Sequence, residues 1–116
     1  MLNLLVIRSP APESAVRFYE KLGLSFEYHR HGGPLHYSAV MNGVVFEIYP
    51  LLKGQHTPDT SLRLGFKVGD LDKLINELDA ENIILDQQPD HMEWGYTAVV
   101  IDPDGRKIEL TQKDEI

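Results

Sequence analysis

Two stretches of this chain carry the same strand-then-helix pattern, and a chain that repeats such a pattern has few ways to fold. The first opens with an apolar run, Leu2 to Ile7, that reads as a strand. Pro10 and Pro12 then suit a helix start and Gly23 suits its C-terminal cap. The apolar stripe between them is Ala15, Phe18, Tyr19 and Leu22, spaced i, i+3, i+4, i+7. The second stretch opens with Leu62 to Val68, and Asp70 is placed to cap a helix N-terminus. Its stripe, Leu71, Leu74, Ile75 and Leu78, has the same spacing displaced by 56 positions. The segment Pro50 to Thr60, with Gly54 and Pro58, reads as the loop between two similar halves. The pattern predicts an internal duplication.

Three strand candidates follow each helix. In the first half Asn42-Gly43 lies between β-type runs, a strong signal for a two-residue hairpin. That turn fixes a register in which Met41 faces Val44, Ala39 faces Phe46 and Tyr37 faces Ile48 on an apolar, helix-packing side. The opposite side then carries Val40 with Val45, Ser38 with Glu47 and His36 with Tyr49. In the second half Asp102-Pro-Asp-Gly105 reads as a four-residue turn. Symmetrical pairing around it sets Val99 against Ile108 on the helix side, with Ala98 against Glu109 and Tyr96 against Thr111 on the other. The fold class expected is α+β, two β-α-β-β-β modules over 1–50 and 61–112 within a single domain of 1–116. A length of 116 residues leaves no room for a second domain of ordinary size.

With these elements in place, the phrase Ala15-Val-Arg-Phe-Tyr-Glu-Lys-Leu-Gly23 and the segment Asp102-Pro-Asp-Gly-Arg-Lys-Ile-Glu-Leu110 resemble the vicinal oxygen chelate superfamily. That group contains glyoxalase I, bleomycin-resistance proteins, fosfomycin-resistance enzymes and extradiol dioxygenases. The resemblance covers nearly the whole chain and implies curved sheets around a shared cavity, and a homodimer. Metal-dependent members place a ligand on the first and last strands of each module. Carried over by flanking residues, those positions fall at Leu4, Glu47, Arg63 and Glu109. Leucine has no donor atom and arginine is a permanent cation without a lone pair to give. The expectation is therefore a member without the full metal site, in which Arg63 stands in for the metal and bridges Glu47 and Glu109. That argues against metal-assisted glyoxalase I activity, and no cofactor is expected.

Each candidate has a plain alternative. Against the cavity positions the resemblance implies, Glu47 and Glu109 have the alternative of half-exposed strand carboxylates, and Arg63 that of a surface cation worth little to stability. His36 sits diagonally across from Glu47 and could serve as general acid or base, as a ligand contact or as a replacement metal ligand. Taken alone it is as readily an ordinary polar strand position. His29 and His31 are two apart, which on a strand invites a metal reading. The Gly32-Gly33-Pro34 that follows suggests an exposed strand end and turn instead. Tyr49, Trp94 and Tyr96 are expected on the cavity side, where they would line an aromatic pocket for a small organic ligand, or pack an interface.

Composition narrows the functions. The chain has no cysteine, which excludes disulfides, thiolate nucleophiles and cysteine-bound zinc. A net charge of −7 argues against sequence-independent binding to nucleic acid or an anionic membrane and favours a cationic ligand. No run approaches the about 20 apolar residues of a membrane span, and Met1 to Arg8 lacks the pattern of a secretory signal, so a cytoplasmic location is expected. The leading expectation is a bleomycin-resistance-like protein that binds a small organic molecule through His36, Ser38, Glu47, Tyr49, Arg63, Trp94, Tyr96 and Glu109. The alternative is a metal-dependent lyase, isomerase or dioxygenase whose ligands are rebuilt from Glu47, Glu109 and His36. A third reading is a degenerate domain that only dimerises or binds protein.

Overall fold

A computed structural model describes residues 1–29 and 33–114; His31 and Gly32, singled out above, lie outside the described residues. The chain divides into two compact units, Met1–Asp59 and Thr60–Ile116. The first holds β1 (Leu4–Ser9), α1 (Pro12–Lys21), β2 (Glu27–His29), β3 (His36–Met41) and β4 (Val44–Pro50). The second holds β5 (Leu64–Val68), α2 (Leu71–Ala80), β6 (Leu85–Met92), β7 (Gly95–Ile101) and β8 (Lys107–Gln112). Each unit is a β-α-β-β-β module with one four-stranded sheet, ordered β1-β4-β3-β2 and β5-β8-β7-β6. The first strand pairs parallel with the last, and the other pairings are antiparallel.

The helices explain why the modules close. In the first unit Ala15, Val16, Phe18 and Tyr19 of α1 are buried with Ile7, Ala39, Phe46 and Ile48. Tyr19 meets Phe46 edge to face, ring centroids 5.1 Å apart. In the second unit Leu71, Leu74 and Leu78 are buried with Ala98, Val100, Ile108 and Leu110. Both helices end in the same hydrogen-bonded cap. Gly23 N–H donates to Glu20 O and Leu24 N–H to Tyr19 O, while Asn82 N–H donates to Asp79 O and Ile83 N–H to Leu78 O. Gly23 and Asn82 both have positive φ, as this cap requires.

These caps correct the expected displacement of the repeat. Pro12 and Leu71 start the helices and Gly23 and Asn82 end them, so the true displacement is 59 residues, not 56. An i, i+3, i+4, i+7 stripe maps nearly onto itself when slid by one turn. It fixes which face of a helix is buried but not the position along the axis; the caps fix that.

Candidate functional site

Pairing in the first unit brings a row of polar and ring side chains onto the sheet face opposite α1. The register of β3 with β4 is the one Asn42-Gly43 implies, with Ser38 opposite Glu47, Ala39 opposite Phe46 and Tyr37 opposite Ile48. The parallel pairing of β1 with β4 sets Val6 beside Glu47 and Arg8 beside Tyr49. The pairing of β2 with β3 sets His29 opposite His36. His29, His36, Tyr49 and Arg8 thus form a row across all four strands. His29 meets His36 edge to face at 5.5 Å, His36 stacks on Tyr49 at 4.3 Å with planes 6° apart, and the Arg8 guanidinium carbon lies 4.9 Å from the Tyr49 ring centre.

His36 is held through one ring nitrogen and approaches a carboxylate with the other. Its Nδ1 is 3.2 Å from the Pro34 carbonyl oxygen, an acceptor only, so Nδ1 carries the hydrogen. Nε2 therefore faces Glu47 Oε2, 3.3 Å away. The His36 side chain is 7% exposed and that of Glu47 17%, so water screens the pair little. The two atoms are close enough to share a proton or to hold one cation between them. His29 Nε2 lies 3.2 Å from Glu27 Oε2.

The second unit departs from the expected register. Ile101 pairs with Lys107, Val99 with Glu109 and Thr97 with Thr111. The expected pairs, Val99 with Ile108, Ala98 with Glu109 and Tyr96 with Thr111, are each one residue off. Arg106 is the reason. Its N–H donates to Asp102 Oδ1 (2.9 Å), and its Nη1 lies 3.1 Å from Asp102 Oδ2 and 2.9 Å from Asp104 Oδ2, all with the guanidinium 1% exposed. This buried network keeps Arg106 in the turn as its fifth residue, and a one-residue slip exchanges the two faces of a strand. Tyr96 consequently lies on the helix side, where its hydroxyl donates to Asp72 Oδ1 of α2 at 2.8 Å. That bond, with some burial, pushes the phenol up from its ordinary value.

Of the other expected site residues, Trp94 lies in the turn between β6 and β7 and is 58% exposed. Glu109 occupies the face opposite α2 beside Gly65, where an added Cβ would stand 3.7 Å from its Oε2. Arg63 is exposed, one residue before β5, and among the described residues of this unit it makes no ion pair with Glu109. His36, Ser38, Glu47 and Tyr49 are the members brought together. Arg8, for which the sequence carries no expected role, and His29, expected at an exposed strand end, join them. The signal for Arg8 was present, because a first strand parallel to the last carries Arg8 to Tyr49. A groove of about 260 Å³ between α2 and β6, lined by Ile75, Leu78, Ile83, Leu85 and Val100 among others, contains none of these residues.

The family model described as Glyoxalase/Bleomycin resistance protein/Dioxygenase superfamily matches residues 1–110. The chain belongs to this superfamily. Among solved structures it is similar to TnmS3, an antibiotic binding protein from Streptomyces sp. CB03234, at 23% identity over 98% of this chain and 96% of that one, with a TM-score of 0.77. It is also similar to the oxidase ChaP-H2 (19% identity, 98% and 94% covered, TM-score 0.76). A third likeness is to an integron cassette protein from the mobile metagenome of V. cholerae (19%, 98% and 95%, TM-score 0.73). No curated protein sequence matches. Superfamily relatives at these identities share the fold, and their different activities show that it supports more than one function.

Proposed function

We propose that the chain binds a small organic molecule on the face of the first unit opposite α1, and that binding itself is its function. The observation carrying this reading is the row of Arg8, Tyr49 and His36 beside the little-exposed Glu47. Arg8, whose Nη1 donates to Pro50 O at 3.3 Å, brings a positive charge to one end of the row for a carboxylate or carbonyl oxygen, the rings give apolar area, and Glu47 selects against an anion on its side of the row. The similarity to an antibiotic binding protein supports the same class of ligand.

The metal site implied by the superfamily does not fit this donor set. Leu4 offers no donor and Arg63 brings a positive charge, so each unit keeps a single carboxylate, Glu47 or Glu109, at its two inherited positions. No cofactor is part of this reading, and the protein works in the cytoplasm. It acts as a homodimer: Leu4, Val6 and Val40 are exposed on the same face, and a chain this small gains buried apolar area by pairing. Light scattering checks that mass.

Thermal-shift screening of ring-bearing carboxylates and carbonyl compounds, followed by calorimetric titration, tests the function. Hits whose affinity falls more than about tenfold in Arg8→Met and Tyr49→Leu, while Trp94→Ser leaves it unchanged, support it. Binding that ignores Arg8 and Tyr49 removes the assigned face.

A further inference from the structure

We propose that His29, His36 and Glu47 form a binding site for a divalent first-row transition metal ion. This set shares only Glu47 with the positions inherited from the superfamily, and it does not depend on the organic-ligand reading. One ligand atom from each residue lies within 4.8 Å of the other two. The strand pairing produces this: His29 and His36 are directly opposite on β2 and β3, and Glu47, opposite Ser38 on β4, is two residue pairs further along and so on the same face.

The spacing suits an ion. Two ligand atoms each about 2.1 Å from a tetrahedral metal lie about 3.4 Å from one another. His36 Nε2 and Glu47 Oε2 are 3.3 Å apart. His29 is the wider corner, and its side chain is 30% exposed at the sheet edge, so a side-chain rotation brings it in.

The surroundings are those that orient metal-binding histidines. A ligating imidazole is commonly fixed by a hydrogen bond from its other nitrogen to a carbonyl or carboxylate. Pro34 O accepts from His36 Nδ1, which turns Nε2 toward Glu47. Glu27 Oε2 holds the His29 ring through Nε2, so His29 would ligate through Nδ1, or through Nε2 with Glu27 rotating aside. Tyr49, stacked on His36, limits rotation of that ring.

The donor chemistry selects the ion. Two imidazoles and one carboxylate suit zinc, cobalt, nickel or iron(II), whereas calcium and magnesium require mostly oxygen. Three protein ligands leave coordination positions for water or for donor atoms of a bound molecule. The ion would sit between His36 Nε2 and Glu47 Oε2, the two atoms 3.3 Å apart.

The test uses the untagged full chain, stripped with chelator and titrated with zinc chloride by calorimetry and with cobalt chloride by visible absorption. The expected result is saturable uptake of one ion per chain, with cobalt bands characteristic of imidazole coordination. His29→Gln and Glu47→Gln are each expected to weaken uptake more than about tenfold, and Glu109→Gln to leave it unchanged. His29 lies at a part-exposed edge, so His29→Gln keeps the fold and is the deciding variant, with circular dichroism as its control. No saturable uptake up to about 100 µM metal overturns the proposal, as does uptake indifferent to His29→Gln. Organic-ligand binding measured in chelator separates the two readings, since it survives failure of the metal site.

Discussion

The two modules share one topology and differ in what they place on the face away from the helix. Register aligns them position by position. Where the first has Val6 beside Glu47, the second has Gly65 beside Glu109; where the first has Arg8 beside Tyr49, the second has Lys67 beside Thr111. Ser38 opposite Glu47 becomes Val99 opposite Glu109. Thr97 and Thr111 join through their hydroxyls at 3.1 Å where the first module stacks His36 on Tyr49 at 4.3 Å. The helix-facing residues are mostly apolar in both. A β-α-β-β-β unit is thus specified by its helix-facing half, which leaves the alternate residues of the same strands able to differ. In this chain the stacked rings and the close His36–Glu47 contact gather in the first module.

The hairpins differ as well, and breaking them gives the largest expected effect. The first needs only backbone: Asn42 and Gly43 both have positive φ, and nothing lies within 4 Å of a Cβ built on Gly43. The second depends on a buried ion network. Arg106→Met, which leaves the carboxylates of Asp102 and Asp104 without their cation, is expected to cost about 3–5 kcal/mol in urea unfolding. A loss as small as that of a surface substitution would remove the network as the cause of the register. Glu47→Gln against Glu109→Gln sharpens the comparison of faces. The first removes a carboxylate 3.3 Å from the little-exposed His36 Nε2 and is expected to cost about 2 kcal/mol, the second less than about 0.5 kcal/mol. Equal losses would mean that the faces do not differ in kind. Gly43→Ala follows at about 1 kcal/mol, a purely conformational cost.

The same contrast shows what the sequence could reveal. Period, hairpin signal and cap residues were legible because each acts over a few residues, and they yielded both modules, the fold class and the first hairpin's register. The second register was not, because it turns on where Arg106 places its side chain, a tertiary fact that a symmetrical four-residue turn leaves out. That slip alone moved Tyr96 to the wrong face. The site was half legible. Ser38, Glu47, Tyr49 and His36 followed from Asn42-Gly43, whereas His29 required the pairing of a three-residue strand whose own turn carries no register signal.

Tyr96 supplies the smallest and most specific prediction. On the helix side its hydroxyl donates to Asp72, and this bond, ahead of burial, raises its proton affinity above the ordinary value of 10.0. A phenol that holds its proton more tightly in the folded chain contributes stability that is fully present below its unfolded value. That stability is lost as pH rises from there through the folded value. Urea midpoints measured at about pH 8 and about pH 11 should therefore fall more in the natural chain than in Tyr96→Phe. Tyr37, raised chiefly by burial and then by Glu13, loses stability in the same window in both proteins, so the difference between them isolates Tyr96. Asp72→Asn should reduce the difference in the same way, because the partner is on α2. Had Tyr96 shared a face with Glu109, Asp72 would have no part in its titration, and a pH dependence unmoved by Asp72→Asn would return Tyr96 to that face and undo the five-residue turn on which the second module's register rests.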